Sequence, residues 1–345
     1  MNRLRSITIA GGGLAGLTLG IGLRQRGVPA TIWEAGQYPR HKVCGEFISG
    51  KGQEVLKRLG LDDLVKNAGA IPARTARFYF GDSASPVRAL NPEATCISRF
   101  KLDSALAEFF IGQGGELRQN SRWDKDSYGE GVVRATGRRR QASDKDRRWF
   151  GIKMHVRNVE LDADLEMHGS NHHYVGLCKL PDGEVNICGL FAAGSGVKLS
   201  KPREWLLGSE GTQLRERLVG ASLDENSFCS VAGLCLEPQL AAGQRECRLG
   251  DCLTMIPPVT GNGMSMAFEA AEILVQPLFM YANGDLSWSD ACGIAAANCD
   301  RAFRQRLRWA HRLQALMFCP VMRGPVGNWV LRSELLWRAI FSRTR

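Results

Sequence analysis

Ile-Thr-Ile-Ala-Gly-Gly-Gly-Leu-Ala-Gly, residues 7–16, begins as a short apolar run and ends in the spacing Gly-x-Gly-x-x-Gly. This order predicts a strand, a tight turn and a helix, which together bind the pyrophosphate of a dinucleotide. Gly11 permits the tight turn, Gly13 lets the backbone approach the phosphates, and Gly16 lets the helix pack against its strand. The N-terminus of that helix then faces the anion.

The residues that follow support this interpretation. The helix is predicted to run from residue 14 to about residue 26, and a second strand is predicted at residues 30–33. Glu34 ends that strand 18 residues beyond Gly16, where an acid binds the ribose hydroxyls of adenosine. A signal peptide or membrane span is the alternative, but Arg24 and Arg26 end the apolar stretch early and no small-residue cleavage site follows.

Composition favours a soluble enzyme in a reducing cytoplasm. The 345 residues, 44% hydrophobic and 23% charged, suffice for one large or two ordinary domains. The eleven cysteines are odd in number and none forms a Cys-x-x-Cys pair, which argues against a disulfide framework and a zinc site. His168, His172 and His173 lie in a loop-like stretch without cysteine or acidic partners at ligand spacing, so no metal site is predicted.

The positive charge is concentrated near the C-terminus. The chain carries +10 in all, and residues 298–345 hold ten arginines against two acidic residues. Four of these arginines recur at helical spacing with apolar residues between them, so a basic amphipathic helix is predicted: Arg301, Arg304, Arg308 and Arg312. Its charged face is either solvated or in contact with an anionic membrane surface or an acidic carrier protein. No nucleic-acid motif accompanies the charge, so nucleic acid is not a predicted partner.

Four further segments extend the N-terminal signal. Residues 39–49 form a loop-like stretch after the second strand, residues 97–106 place an arginine before a helix start, and Ala-Thr-Gly at residues 135–137 ends another predicted strand. The fourth segment, residues 249–265, leads from a strand end through a Gly-Asn-Gly turn into a helix predicted at 266–280. Asp251 can accept hydrogen bonds from a ribityl chain, and the N–H groups of that turn can face the N1/O2 edge of a flavin.

These segments together resemble the p-hydroxybenzoate-hydroxylase-like FAD-dependent oxidoreductase superfamily, and within it the geranylgeranyl-reductase-like branch with its halogenase and monooxygenase relatives. The resemblance covers most of the chain. It implies an α/β fold with a Rossmann-type, glutathione-reductase-like FAD-binding domain, a mixed-sheet substrate domain and C-terminal helices. It also implies FAD as the cofactor, with NAD(P)H as a candidate electron donor.

The resemblance implies a set of cofactor contacts. The pyrophosphate would contact Gly11, Gly13, Ala15 and Gly16, and the adenosine ribose Glu34. The loop beside the isoalloxazine would contain Arg40, Cys44 and Gly45. Arg99 and Asp251 would bind the diphosphate and ribityl region, and the ring edge would contact Gly261, Asn262, Gly263 and Met264.

The same comparison predicts a discontinuous domain organisation. The FAD-binding domain is expected at residues 1–73, 97–150 and 244–283, the substrate domain at 74–96 and 151–243, and a C-terminal helical segment at 284–345. A basic run at residues 138–148 is predicted to be an exposed linker. Residues 174–190 indicate two strands around a Pro-Asp-Gly turn in the substrate sheet.

Departures from the family patterns limit the functional assignment. The Tyr-x-Trp-x-Phe-Pro signature of geranylgeranyl reductases is absent, and so are the Gly-Trp-x-Trp-x-Ile-Pro motif and catalytic lysine of tryptophan halogenases. Halogenation is therefore disfavoured. The aspartate-glycine motif through which many aromatic hydroxylases contact FAD and NADPH is absent near residue 132, so the electron donor stays open.

Three functional hypotheses remain. The first is a flavin monooxygenase that hydroxylates a lipophilic or aromatic small molecule. The second is reduction of isoprenoid or enone double bonds, in which the Cys44 thiol would donate a proton unless it is a packing residue. The third is a non-enzymatic, flavin-fold partner-binding protein.

Two other features are candidates for a role in chemistry. Lys153 and His155 alternate along a predicted strand and face either the substrate cavity or solvent. Residues 263–267 are close to a hydrolase nucleophile elbow, but no strand directly precedes them and no His/Asp partner set is evident.

Overall fold

The computed structural model describes residues 4–81, 83–124, 128–138, 149–170, 172–192, 202–244, 246–319 and 325–344. Most of the basic run at residues 138–148 lies outside these ranges. Within them the chain forms two sheets, ten α-helices and short 3₁₀ turns.

The first sheet has five parallel strands and contains the N-terminal motif at its centre. Its strands are β1 (Ile7–Ala10), β2 (Ala30–Trp33), β7 (Glu116–Arg118), β8 (Val132–Arg134) and β14 (Cys247–Arg248), in the spatial order β14-β8-β1-β2-β7. The strands predicted at residues 7–10 and 30–33 are confirmed. Ile7 and Ile9 are fully buried, because helices cover the sheet as expected for a parallel arrangement.

The second sheet is mixed and larger, as predicted. Its strands are β3 (Phe47–Ile48), β4 (Ile71–Phe80), β5 (Ser83–Ala84), β6 (Arg88–Cys96), β9 (Trp149–Arg157), β10 (Leu165–Gly169), β11 (His173–Lys179), β12 (Val185–Ala192) and β13 (Ser222–Leu234). The spatial order is β13-β9-β12-β11-β10-β4-β6-β3, and β5 pairs with β4 outside this order. Strands β10 and β4 run parallel to each other, whereas the other described pairs in this sheet are antiparallel. A 3₁₀ turn at Pro181–Gly183 joins β11 to β12, which confirms the predicted two-strand unit.

Helices pack on both sheets. They are α1 (Leu14–Arg24), α2 (Lys51–Arg58), α3 (Asp62–Asn67), α4 (Arg99–Gly112), α5 (Pro202–Leu206), α6 (Gln213–Arg217), α7 (Gly263–Asn283), α8 (Trp288–Met317), α9 (Pro325–Arg332) and α10 (Glu334–Thr344). The predicted bounds of two helices are corrected: α1 ends two residues before 26, and α7 begins three residues before 266. Among the described helices, none combines the length and the apolar character needed to cross a membrane.

Close approach of neighbouring backbone explains two glycines of the N-terminal motif, Gly11 and Gly16. Gly11 has φ +115°, and a Cβ there would overlap the carbonyl of Ala135 at the end of β8. A Cβ on Gly16 would overlap the Gly11 carbonyl oxygen. The tight turn predicted at Gly11 and the close helix packing predicted at Gly16 are therefore confirmed, since only glycine fits either position.

Helix α8 has one buried face and one basic face. Phe303, Leu307 and Ala310 are buried in the core of the first sheet's layer, and Arg306 forms a buried bidentate ion pair with Glu269 of α7, at 2.6 and 3.1 Å. Arg301, Arg304, Arg308 and Arg312 are exposed. The predicted basic amphipathic helix is confirmed, although it begins earlier in the chain, at Trp288.

We expect Gly16→Ala to destabilise the fold and Gly112→Ala to leave it nearly unchanged. The added methyl at residue 16 overlaps backbone that cannot move independently, and such overpacking costs about 1–3 kcal/mol of unfolding free energy. A methyl at residue 112, in the last turn of α4, meets no atom within 4 Å. Urea denaturation of both variants measures the difference, and equal stabilities would contradict the close packing of α1 on β1.

Candidate functional site

A cavity of about 760 Å³ extends between the two sheets and beneath the C-terminal helices. Its walls include the N-terminus of α1, the loop 40–45, the ends of β8 and β14, strands β4 and β10 to β12, and residues of α8, α9 and α10. Its volume lies within the usual range for cofactor and small-molecule sites.

Ten of the fourteen residues predicted to contact the cofactor line this cavity. They are Gly13, Ala15, Arg40, Cys44, Gly45, Arg99, Asp251, Gly261, Gly263 and Met264. The other four, Gly11, Gly16, Glu34 and Asn262, are not among the residues that line it. Segments separated by more than 200 residues in the sequence thus meet around one space. Whether each contacts a cofactor remains a prediction.

The N-terminus of α1 is open to the cavity. Gly13 precedes the helix in an extended conformation, and no side chain caps the first N–H groups of α1. A Cβ on Gly13 would meet only the ammonium of Lys42, at 3.9 Å, so the backbone here borders free space. An uncapped helix N-terminus bordered by glycine fits the pyrophosphate of a dinucleotide.

Glu34 is hydrogen-bonded to the glycine turn. Its carboxylate accepts hydrogen bonds from the N–H groups of Gly12 and Gly36, at 2.9 and 2.8 Å, and pairs with Arg40 at 2.7 Å. Tyr38 donates its hydroxyl to the Gly12 carbonyl, and its pKa is raised by burial. The structure therefore places Arg40 beside Glu34, whereas the resemblance had grouped it with Cys44 near the isoalloxazine.

Arg99 belongs to a buried charge cluster. Its guanidinium forms two hydrogen bonds with Asp103, one turn later in α4, at 2.6 and 2.8 Å, and Lys42 lies 3.2 Å from the same carboxylate. Burial alone would raise the pKa of Asp103, but the two cations lower it. Arg99 thus lines the cavity with its charge already partnered by Asp103.

The loop at Cys44 and Gly45 is held by the second sheet. Asn186 of β12 donates an amide hydrogen to the Cys44 carbonyl at 2.9 Å, and the Glu46 N–H points to the Cys44 sulfur at 3.4 Å. Burial raises the pKa of the Cys44 thiol. The sulfur is therefore protonated near neutral pH, which suits a proton donor better than a nucleophile.

A buried cluster around Glu46 was not predicted from the sequence. Glu46 is fully buried and has φ +60°, and its carboxylate receives the N–H of Arg99 at 2.9 Å and the His155 Nε2 contact at 2.6 Å. The Lys153 ammonium lies 3.4 Å from the same carboxylate and 3.0 Å from Nδ1 of His41. Only the position of Glu46 inside the segment 39–49 hinted at such a role.

The expectations for Lys153 and His155 are both wrong. Strand β9 is confirmed, but Lys153 is 0% exposed and His155 is 3% exposed, so neither side chain faces solvent. Neither residue lines the cavity. Both side chains point instead to Glu46, because the loop 40–46 lies against this face of the sheet.

The opposite cavity wall is built by the start of α7. Gly261 has φ +64° and packs against the Phe47 ring so closely that a Cβ would overlap it. Asn262 accepts a hydrogen bond from the Ser49 hydroxyl at 3.1 Å, which anchors the turn from behind. Gly263 begins α7 with open space beside it, so the N–H groups of this helix face the cavity as the sequence predicts for a flavin edge.

The part of the cavity between the second sheet and helices α8 to α10 is mostly apolar. The charged residues on this wall are paired within the protein: Arg77 with Asp162 at 2.7 Å, Glu166 with Arg217 at 3.3 Å, and Arg88 with Glu334. The remaining wall is aliphatic, aromatic or thiol, and α8 to α10 contribute Leu313, Leu316, Met317, Val330, Leu331 and Trp337. This chamber therefore suits an apolar ligand group.

Two of the histidines predicted to lie in a loop are in strands instead, His168 in β10 and His173 in β11. His168 is buried, stacks on Tyr79 at 4.4 Å and contacts Glu166. Among the described residues, His41, Glu46 and His155 are the group whose ligand atoms lie within 4.8 Å of one another. The ammonium of Lys153 already lies beside two of them, so the protein supplies the cation at this place.

Comparison with known proteins identifies the fold. No family model matches the chain. Over 104 residues the chain is 33% identical to Monooxygenase 1 of Arabidopsis thaliana, and this match spans 30% of the chain and 26% of that protein. Three solved structures are similar over nearly the whole chain. PqsL of Pseudomonas aeruginosa in complex with 2-aminobenzoylacetate is 17% identical, with a TM-score of 0.70 over 92% of this chain and 97% of PqsL. The flavin-dependent brominase Bmp2 is 18% identical, with a TM-score of 0.76 over 97% of this chain and 92% of Bmp2. The myxobacterial chondrochloren halogenase CndH is 16% identical, with a TM-score of 0.74 over 100% of this chain and 91% of CndH.

The chain thus has the fold of FAD-dependent monooxygenases and halogenases. The predicted combination of a Rossmann-type domain, a mixed sheet and C-terminal helices is confirmed. The division into domains at the stated residue numbers remains a prediction.

We expect Gly13→Ala to fold normally and to bind FAD at least tenfold more weakly, a loss of about 1.4 kcal/mol. The φ of −79° at residue 13 accepts alanine, and the methyl would project into the space where phosphates approach the helix. Gly129→Ala, whose methyl meets no atom within 4 Å, is the matched control. Flavin fluorescence gives the affinities and thermal melting checks the fold; unchanged FAD affinity in Gly13→Ala would contradict the assignment.

Proposed function

We propose that the chain is an FAD-dependent monooxygenase that hydroxylates a lipophilic or aromatic small molecule. The observation that carries the proposal is the single cavity, which joins an open dinucleotide-type helix N-terminus to an apolar chamber. The similarity to PqsL and to Monooxygenase 1 supports the same class of reaction. The sequence lacks the halogenase motif, which disfavours halogenation although Bmp2 and CndH share the fold.

The residues around the cavity fit FAD. Gly13 and Ala15 would border the pyrophosphate, and Gly261, Gly263 and Met264 would face the ring edge. Glu34, which is hydrogen-bonded to the glycine turn next to this space, would lie near the adenosine ribose. When bound, FAD supplies the redox chemistry and oxygen activation of the reaction. NAD(P)H is proposed as the electron donor.

The protein's own contribution to hydroxylation is to position the substrate and exclude water. The apolar chamber removes water from the reacting groups, and the charged residues beside it have partners of opposite charge within the protein. A neutral lipophilic or aromatic substrate can enter such a chamber without losing strong hydration. An ionised substrate is disfavoured, because the charged residues on the described part of this wall already have partners of opposite charge within the protein.

Reduction of isoprenoid or enone double bonds is the second candidate, and the state of Cys44 favours it. The buried thiol keeps its proton near neutral pH, lines the cavity and has its backbone fixed by Asn186. A positioned thiol of this kind can donate the proton that completes double-bond reduction. Cys44→Ser retains a donor of similar size, whereas Cys44→Ala removes it.

Isotope incorporation separates the two reactions. The FAD-loaded protein with NADPH would be supplied with an alkylphenol or with farnesol under oxygen-18 gas, and the products analysed by mass spectrometry. We expect one oxygen-18 atom in a hydroxylated alkylphenol and no loss of that product in Cys44→Ala. Products with two added hydrogens, dependent on Cys44, would support the reductase instead. A chain that binds no flavin would support the non-enzymatic alternative.

We further propose that the C-terminal helices contact an anionic membrane surface. Arg301, Arg304, Arg308 and Arg312 form one exposed stripe of α8, and no ion pair to any of them occurs within the described ranges. The same helical segment exposes Trp329 (64%) and Leu335 (81%), while neighbouring Val330, Leu331 and Trp337 line the cavity. Basic residues with exposed tryptophan and leucine favour a lipid interface over an acidic carrier protein.

We expect the triple variant Arg304→Ala/Arg308→Ala/Arg312→Ala to bind phosphatidylserine-containing vesicles at least tenfold more weakly than the unaltered chain. Each arginine near an anionic surface contributes about 1 kcal/mol. Arg26→Ala/Arg122→Ala/Arg215→Ala removes the same charge from other exposed positions and serves as control. Sedimentation with vesicles measures binding; equal loss in both variants, or equal binding to neutral phosphatidylcholine vesicles, would contradict the proposal.

A further inference from the structure

His41 is held on one side by a buried cation and borders the cavity on the other. Its Nδ1 lies 3.0 Å from the Lys153 ammonium, its ring stacks on Phe100 at 4.6 Å, and His155 meets it edge-on at 5.0 Å. The residue lines the cavity next to the loop that contains Cys44 and Gly45. The orientation of the imidazole is therefore fixed by three neighbours.

The Lys153 contact determines which nitrogen of His41 carries the proton. An ammonium group has hydrogens to donate and no lone pair to accept with, so Nδ1 of His41 must be the acceptor. The neutral imidazole then carries its hydrogen on Nε2. Within the described part of the chain, Nδ1 has a hydrogen-bond partner and Nε2 has none.

The ammonium cannot easily leave this position. Lys153 is 0% exposed, and its charge is balanced by the buried Glu46 carboxylate at 3.4 Å. Glu46 is in turn bonded to Nε2 of His155 at 2.6 Å and to the Arg99 N–H at 2.9 Å. Since a buried charge without its partner is strongly unfavourable, the cluster keeps Lys153 directed at His41.

The surroundings also keep His41 neutral. Burial, followed by the positive neighbours Lys153 and His155, lowers the pKa of His41 to about 4, and Glu46 and Asp224 act in the opposite direction without reversing it. At pH 7 the imidazole is therefore an uncharged donor through Nε2.

We propose that His41 presents a fixed, neutral Nε2–H donor to the isoalloxazine ring of FAD bound in the cavity, and that Lys153, Glu46 and His155 are positioning residues that set its tautomer. This inference rests on the proposed function, because it needs the flavin ring at the Cys44 end of the cavity. A reduced flavin carries more negative charge than the oxidised form, so a fixed donor binds the reduced form more strongly.

The tautomer can be tested by long-range ¹H–¹⁵N NMR of FAD-loaded protein labelled at histidine nitrogens. His41→Gln identifies the His41 signals by their absence. We expect the Nε2–H form at pH 7, with no protonation until the pH approaches 4. In Lys153→Met the repelling charge is gone, so the pKa of His41 should rise. An Nδ1–H form or an imidazolium at pH 7 in the unaltered protein would overturn the inference.

The flavin contact can be tested by the reduction potential of bound FAD in a matched pair of variants. Glutamine places an amide N–H near the position of the histidine Nε2, whereas phenylalanine keeps the planar ring without a donor. We expect His41→Phe to weaken binding of reduced relative to oxidised FAD by about tenfold, which lowers the potential by about 30 mV for two electrons. His41→Gln should restore most of that loss.

The outcomes separate this inference from the proposed function. Equal potentials in His41→Phe and the unaltered protein, or equal shifts in both variants, would overturn the donor role while leaving an FAD enzyme intact. Failure of the unaltered protein to bind FAD would contradict the proposed function itself, together with the flavin contact. Should either variant fold poorly, the NMR measurement on the unaltered protein still decides the tautomer.

Discussion

The buried carboxylate of Glu46 is the constraint on which the arrangement of the site depends. Its residue has φ +60°, a conformation that costs a non-glycine residue about 1–3 kcal/mol, and the surrounding hydrogen bonds maintain it. The Glu46 side chain joins the start of α4 to β9. The backbone carbonyl of Glu46 accepts a hydrogen bond from the Ile97 N–H at 2.9 Å. Removing one member of a buried charge pair usually costs about 3–5 kcal/mol, so the loop and the two sheets are held as one unit.

This unit brings together the two halves of the proposed enzyme. On one side of the loop lies the glycine turn that suits a pyrophosphate, and on the other lies the apolar chamber beneath α8 to α10. The thiol of Cys44 and the imidazole of His41 stand between them, each kept uncharged by its surroundings. The site thus combines open helix N-termini for an anionic cofactor with neutral groups near the reacting end, an arrangement compatible with flavin chemistry.

The sequence predicted those features that depend on neighbours close in the chain or on a repeated pattern. The glycine turn, the first two strands, the Pro-Asp-Gly unit and the basic helix follow from local spacing, and each is found. The Glu46 cluster could not be predicted, because Lys153 and His155 reach it only through the pairing of β9 with its neighbours, more than 100 residues away. The positive φ of Glu46 has no sequence signal, since glycine or asparagine would be expected there. The contribution of α9 and α10 to the cavity likewise depends on tertiary packing, in which Arg88 binds the carbonyl of Leu331.

The central claim is that the cavity binds an intact dinucleotide with its flavin at the Cys44 end. Titration of the flavin-free protein with FAD and, separately, with FMN tests it most directly. We expect one FAD per chain and at least tenfold weaker binding of FMN, which lacks the adenosine and the pyrophosphate that would lie at Glu34 and Gly13. Binding of neither flavin, or equal affinity for both, would contradict it.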